Sequence, residues 1–344
     1  MDNFVYILSK QPKITIERLH ICTWSIERNT YFTEYGMEIK RGDLKKIDLQ
    51  MALPLPLTLT NTNFKCLYNN IINTENCRFI FNAEIKDISP INGQSPFGTR
   101  IEFNNDRKIT ALPIDFPDNV KIDDDTHTLS LTIDINNEQI SDTIYVRFLI
   151  KTDEPAFSYE KKEVTKRIIT NEVRVNECRT ASPAVIKLQK KNYEPVTINK
   201  CFCFNIIPNS YSIDFIDDTK LKTIRGLEAT GFNHYLDALK EEFKLSLKEH
   251  EYNIVFSKQE NNSTSPIHYS FFSRYSKEYI GNIQIGVAVA VNILCSLLFA
   301  CGSLHPVKYD TPFFCRIALE YYIAITILIC LIVYLLYCRF WRKA

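Results

Sequence analysis

Glycine is scarce in this chain: nine residues in 344. None stands in a G-x-x-x-x-G-K-[ST] loop, a G-x-G-x-x-G turn or a G-x-S-x-G elbow, so the common phosphate-cradling and nucleophile-elbow sites are excluded. The six histidines (20, 127, 234, 250, 268, 305) are dispersed and form no H-E-x-x-H. Eleven cysteines are present, yet no C-x-x-C or other zinc spacing occurs among them. The acidic run Asp123-Asp124-Asp125 lacks the EF-hand pattern and reads as a solvated loop, as does Asp217-Asp218. A formal net charge of +1 points to no partner by bulk electrostatics. There is no internal repeat and no low-complexity tract. From these absences the chain is expected not to be an enzyme, with no catalytic residues, no metal and no cofactor.

What is present is alternation. The segment THTLSLTIDINNEQISDTIYVRFLIKT sets Leu129, Leu131, Ile133 and Ile135 on one face. Ile144, Val146, Phe148 and Ile150 do the same on a return strand, with Asn136 and Asn137 supplying turn chemistry between them. NFVYILSK, KITIERLHICTWSIE, KKIDLQMALPL, CRFIFNAEIKDI and TRIEFNN also read as strands. A mainly β soluble region is therefore predicted: a β-sandwich-like cytoplasmic domain over 1–152, then a basic β-rich or α+β sensor or coupling domain over 153–275. In the second, HYLDALKEEFKLSLKEHEY predicts an amphipathic helix with Leu236, Leu239, Phe243 and Leu247 as its stripe. Cys201 and Cys203 share one strand face and read as reduced core thiols, which suits a reducing compartment. The N-terminus has no basic n-region, so no secretory leader is expected.

Residues 151–205 carry 11 Lys+Arg against 7 Asp+Glu. Lys161, Lys162, Lys166, Arg167, Arg174, Lys190 and Lys191, with Tyr193 beside them, are the candidate ligand-binding set: phosphate contacts with an aromatic for stacking. An anionic inner leaflet or plain solvent are the other readings of that face.

The last part, 276–344, is apolar. Residues 281–303 contain no formal charge, and 314–338 carry few. At ~1.5 Å per residue each reaches across a ~30 Å hydrocarbon layer. A C-terminal two-helix transmembrane hairpin is predicted. Basic residues at both flanks place both termini in the cytoplasm, giving a multi-pass inner (plasma) membrane protein. Asn282, Gly286, Val289, Asn292, Ser296 and Ser303 lie broadly on one stripe of the first span, and Glu320 is the acid within the second. Such a stripe lines a pore or packs helices, and either use implies a homo-oligomer.

This order, a β-rich sensor followed by a short transmembrane unit, resembles the membrane effectors of prokaryotic anti-phage defence systems that are paired with a nucleotidyltransferase, the Hailong type in particular. The resemblance covers the whole chain as a domain order and carries over no ligand residue. It implies an ion channel controlled by a nucleotide or a short single-stranded DNA, an oligodeoxyadenylate, made by the partner enzyme. The alternatives are a membrane-anchored, non-catalytic interaction or scaffold protein and, third, a membrane-bound enzyme whose site is not recognisable.

Overall fold

The computed structural model describes residues 4–27, 30–55, 59–60, 63–91, 98–123, 125–135, 137–152, 154–163, 166–226, 235, 252–261, 268–278, 282–304, 322, 325–327 and 329–330. The strands in chain order are β1 (Phe4–Ser9), β2 (Thr15–Glu27), β3 (Thr30–Lys40), β4 (Lys46–Ala52), β5 (Phe64–Cys66), β6 (Ile85–Pro90), β7 (Thr99–Phe103), β8 (Lys108–Ala111), β9 (Val120–Asp123) and β10 (Thr128–Asp134). They continue with β11 (Thr143–Thr152), β12 (Ser158–Lys162), β13 (Lys166–Val175), β14 (Glu194–Pro195), β15 (Thr197–Ile198), β16 (Lys200–Pro208), β17 (Ser212–Ile216), β18 (Leu221–Gly226), β19 (Tyr252–Glu260) and β20 (Tyr269–Glu278). The helices are α1 (Tyr68–Ile71), α2 (Thr74–Phe81), α3 (Pro183–Lys190) and α4 (Asn282–Leu304). Contacts divide the chain into two compact units, one of Met1–Lys162 with Arg167–Lys277 and one of Glu163–Lys166 with Glu278–Ala344.

The first unit holds two mixed sheets. One runs β17-β20-β13-β1-β4-β10-β9, with β12 on β13 and β14 on β1. The other runs β18-β19-β16-β2-β3-β11-β8-β7-β6, with β15 on β2 and β5 on β11. Period-two alternation fixes the core between them. Leu129, Leu131, Ile133 and Ile135 from one sheet and Ile144, Val146, Phe148 and Ile150 from the other belong to one buried cluster. Cys201 and Cys203 point into the same cluster, and burial pushes the Cys203 thiol up to about 12, so these thiols are inert core groups.

The alternation of THTLSLTIDINNEQISDTIYVRFLIKT is as expected; its pairing is not. β10 pairs β4 and β9, whereas β11 pairs β3, β5 and β8. The link between them passes from one sheet to the other rather than turning a hairpin. CRFIFNAEIKDI also divides. Thr74–Phe81 is helical because the Asn73 side chain accepts from the backbone of Glu75 and Asn76, and Asn82 closes it in the left-handed region at φ 46°. The strand starts only at Ile85. α3 follows Ser182, whose hydroxyl accepts from Val185 N, with Pro183 in the first turn. Of the helix expected over 234–252, all but Tyr235 and the first strand residue Tyr252 lies outside the described residues.

Among the described residues, no helix is long and apolar enough to cross a membrane. This overturns the predicted C-terminal two-helix transmembrane hairpin. The multi-pass inner-membrane location with both termini cytoplasmic, and the reading as a membrane ion channel, go with it. α4 runs from Asn282 to Leu304 and carries Asn282, Gln284, Asn292, Ser296 and Ser303 among its apolar residues. Ser296 Oγ donates to the Asn292 carbonyl at 2.8 Å. Of 314–338, only Tyr322, 325–327 and 329–330 are described; Glu320 lies outside the described residues.

Candidate functional site

The second sheet carries buried side chains on both faces. Its outer face carries Arg18, His20, Cys22 and Trp24 from β2, and Glu34, Gly36 and Glu38 from β3. Tyr145, Arg147 and Leu149 come from β11, and Phe202, Phe204 and Ile206 from β16. Near β11 this face is covered by α1 and α2, with Leu67, Ile71, Cys77 and Phe81 packed on Ile101, Phe103, Tyr145 and Leu149. Past Phe81 the same face lines a cavity of about 620 Å³.

At the cavity's inner end sits a buried charge network. Glu34 is fully buried. Its Oε1 accepts from Trp24 Nε1 at 2.9 Å. Its Oε2 accepts from Arg147 Nε at 2.9 Å, from Arg147 Nη2 at 2.5 Å and from Tyr235 Oη at 2.6 Å. Arg147 Nη1 donates to Tyr145 Oη at 3.1 Å; burial opposes the Arg147 charge, yet the Tyr235 and Glu34 oxygens around it hold its pKa above the usual guanidinium range. Gly36, between Glu34 and Glu38 on β3, leaves room for this arrangement. A Cβ there would lie 2.3 Å from Tyr145 Oη. Glu38 takes Arg107 through Nε at 3.2 Å and Nη2 at 2.5 Å, and lies 3.4 Å from Arg18 Nε. Tyr235 is tied in place by Asn70 Nδ2 donating to its carbonyl at 2.6 Å.

His20 stands above this network, its Nδ1 3.0 Å from Tyr145 Oη. Tyr145 already accepts from Arg147, so its own proton goes to Nδ1, and His20 is the Nε2–H tautomer. Burial strips the imidazolium of water, and Arg147, Arg18 and Arg107 repel it; its pKa falls well below 6.5. Above pH 6.5 the folded and unfolded chains both carry a neutral His20. Below it the unfolded chain binds a proton that the folded chain refuses, so stability is lost as pH falls from 6.5 toward the folded value. Urea denaturation should show wild type losing up to about 1.4 kcal/mol per pH unit in that window from this residue. A His20→Gln variant should lose visibly less between pH 7 and pH 5. An identical pH response in both proteins would remove His20 as the cause.

The cavity's wall is aromatic and its rim basic. Phe202 and Phe204 flank Phe256 with rings nearly parallel, at centroid distances of 6.0 and 4.7 Å and interplanar angles of 7° and 6°. All three are half-buried. His20 stands edge-on to Phe202 at 4.9 Å. Around the ladder stand Arg18, Lys200, Lys222, Arg225 and Lys258. Lys258 and Lys200 share Glu260. Among the described residues neither Lys222 nor Arg225 is ion-paired, and Arg225 lies over the Phe79 ring at 5.7 Å.

The basic set expected from the sequence is placed elsewhere. Lys161 and Lys162 are on β12, Lys166, Arg167 and Arg174 on β13, Lys190 at the end of α3 and Lys191 just after it. Much of its charge is met locally: Arg167 and Lys162 by Glu160, Arg174 by Glu172 and Glu177, Lys191 by Asp125. Tyr193 packs under Lys10, 4.8 Å from its ring centre. None of them lines the large cavity; Arg167 lines a smaller one. On α4, Gly286, Val289, Asn292 and Ser296 are exposed, and the side chains of Asn282 and Ser303 lie outside the described residues. Asp123 caps its own turn through Thr126, and Asp217 caps Thr219. The aromatic ladder escaped the sequence reading. Its signal is in KCFCFN: with the cysteines turned to the core, the two phenylalanines must share the opposite face. No protein-family model and no curated protein matches this chain.

Proposed function

We propose that the β-rich unit is a non-catalytic sensor that binds a nucleotide or short single-stranded oligonucleotide in the cavity above β16, β18 and β19. The observation that carries this reading is the stacked Phe202–Phe256–Phe204 ladder beneath a basic rim. A half-buried aromatic surface offers its face to a base, and lysines and arginines around it meet phosphates. The ~620 Å³ volume suits a ligand of nucleotide size. His20 Nε2–H and the Asn82 side chain offer polar contacts to base edges. The resemblance to nucleotidyltransferase-paired defence effectors agrees with this ligand class. It rests, however, on a membrane unit that the described residues do not supply, so the proposal stands on the cavity alone.

The test is equilibrium binding of ATP and of a fluorescently labelled oligodeoxyadenylate across a salt series. Saturable binding that weakens with salt is expected. The double variant Lys222→Glu, Arg225→Glu should bind the oligomer at least about tenfold more weakly, with a salt slope shallower by about 1.4, two contacts at ~0.7 each. Reversal at Lys161 and Lys162 on β12 is the comparison and should leave binding unchanged. No saturable binding, or a rim variant that binds like wild type while keeping its circular dichroism, rejects the sensor reading in favour of an interaction protein.

A further inference from the structure

A second, smaller cavity of about 250 Å³ lies at the other side of β2, where β12, β13, the turn after β16 and the end of β20 converge. Its lining is mixed, with Pro155, Ile169 and Pro208 beside a polar set. Arg167 and Lys277 line it together with Glu160, Ser158, Ser210 and Tyr211. Arg167 Nη2 is bonded to Glu160 Oε2, but Arg167 Nε is buried with no hydrogen-bond partner among the described residues. Lys277 Nζ donates to Ser210 Oγ at 3.1 Å, which leaves two of its three N–H groups to offer. It stands 6.0 Å from the Tyr211 ring centre. Lys162 Nζ lies 3.5 Å from Glu160 Oε1 without hydrogen bonding it, and with Arg167 and Lys277 the cations outnumber this one carboxylate, so the cavity keeps a positive excess. A buried guanidinium N–H with nothing to donate to is costly, and native structures resolve such a group with a partner.

We propose that this cavity is a site for the oxyanion of a small ligand, an inorganic or terminal phosphate, separate from the nucleotide-sized cavity. Arg167 Nε and Lys277 Nζ donate to the anion, and the hydroxyls of Ser158, Ser210 and Tyr211 complete its shell. Size decides against a nucleotide: ~250 Å³ falls short of the volumes that enclose ligands of that class. Charge decides against a cation, because Arg167, Lys277 and Lys162 outnumber the one acid, Glu160. Burial raises the Tyr211 hydroxyl and the nearby Arg167 charge opposes it; the group is a neutral donor at physiological pH.

The test is titration of inorganic phosphate into the full chain, read by calorimetry and by 31P line broadening at constant ionic strength. Saturable binding to wild type is expected. Arg167→Gln should weaken it about tenfold or more, the loss of one charge-assisted hydrogen bond. Lys277→Gln with Tyr211→Phe leaves the Arg167–Glu160 pair intact and should weaken it comparably. This pair of changes keeps the test valid where Arg167→Gln alters the fold. The Lys222→Glu, Arg225→Glu protein should bind phosphate like wild type; equal loss there would move the anion to the rim and overturn the proposal. Absence of saturable binding to wild type, or undiminished binding by both cavity variants, would also overturn it. Acetate at the same ionic strength should displace phosphate only weakly. Full displacement would assign the site to carboxylates and reject the phosphate assignment.

Discussion

Replacing Glu34 by alanine should destabilise the protein by about 3–5 kcal/mol, the usual cost of breaking a buried ion pair from one side. Three donors converge on its carboxylate: Arg147, Tyr235 and Trp24. The substitution leaves a buried guanidinium and two other buried donors without their acceptor. Against a typical total stability of about 5–15 kcal/mol, that loss is a large fraction. The double variant Glu34→Leu, Arg147→Met removes the charge from both sides and should cost clearly less than the sum of the two single changes, because an apolar pair leaves no uncompensated charge. Urea denaturation followed by circular dichroism measures all three. A single-variant cost below about 1 kcal/mol, or strict additivity in the double variant, would mean that water reaches the pair and that the network is not dry.

The second large effect concerns the ligand. Phe256→Ala should weaken nucleotide binding by about 1–3 kcal/mol, or roughly 5- to 150-fold, because without the middle ring Phe202 and Phe204 no longer hold in place the outer faces on which a base stacks. Phe256 is the middle rung, stacked against both Phe202 and Phe204, so its removal interrupts the ladder at both contacts. Loss of apolar packing competes as an explanation, since aromatic pairs also contribute ~0.5–1.5 kcal/mol to the fold. Phe256→Leu separates the two. It keeps most of the buried volume and loses the π face, so stability should be nearly restored while affinity stays low; Phe256→Tyr should bind close to wild type. If Leu restores affinity along with stability, the ladder is packing and not a platform.

The β elements were legible wherever one face is buried and the other is not. Leu129, Leu131 and Ile133 alternate because β10 has a single core face. β11 alternates less cleanly, since Tyr145 and Leu149 are buried on its other side. What periodicity leaves open is the partner. Nothing local in THTLSLTIDINNEQISDTIYVRFLIKT separates a hairpin from a crossing between sheets, since both need polar turn residues between two half-apolar runs. The helix at Thr74–Phe81 was masked by the β-favouring run CRFIF; the cap at Asn73 was the stronger signal. The transmembrane expectation came from hydropathy and span length read along the chain, which average over polar positions such as Asn292 and Ser296. The basic cluster was visible as composition, but charge density says nothing of pairing: Glu160, Glu172, Glu177 and Asp125 answer much of it. The cavity draws its residues from β2, β16, β18 and β19, and only the fold brings those together.

β2 pairs in parallel with β16, Leu19 opposite Cys201 and Trp24 opposite Ile206; β1 likewise pairs in parallel with β13. These contacts join residues more than 160 positions apart, and closing such loops is what slows folding in β-rich chains. During synthesis the first two strands leave the ribosome with open edges and wait, at about 5–20 residues per second, for their partners to follow. For roughly 10–40 seconds the nascent chain leaves one edge open on strongly apolar strands such as FVYIL, the kind of segment that chaperones shield and that aggregates when they do not.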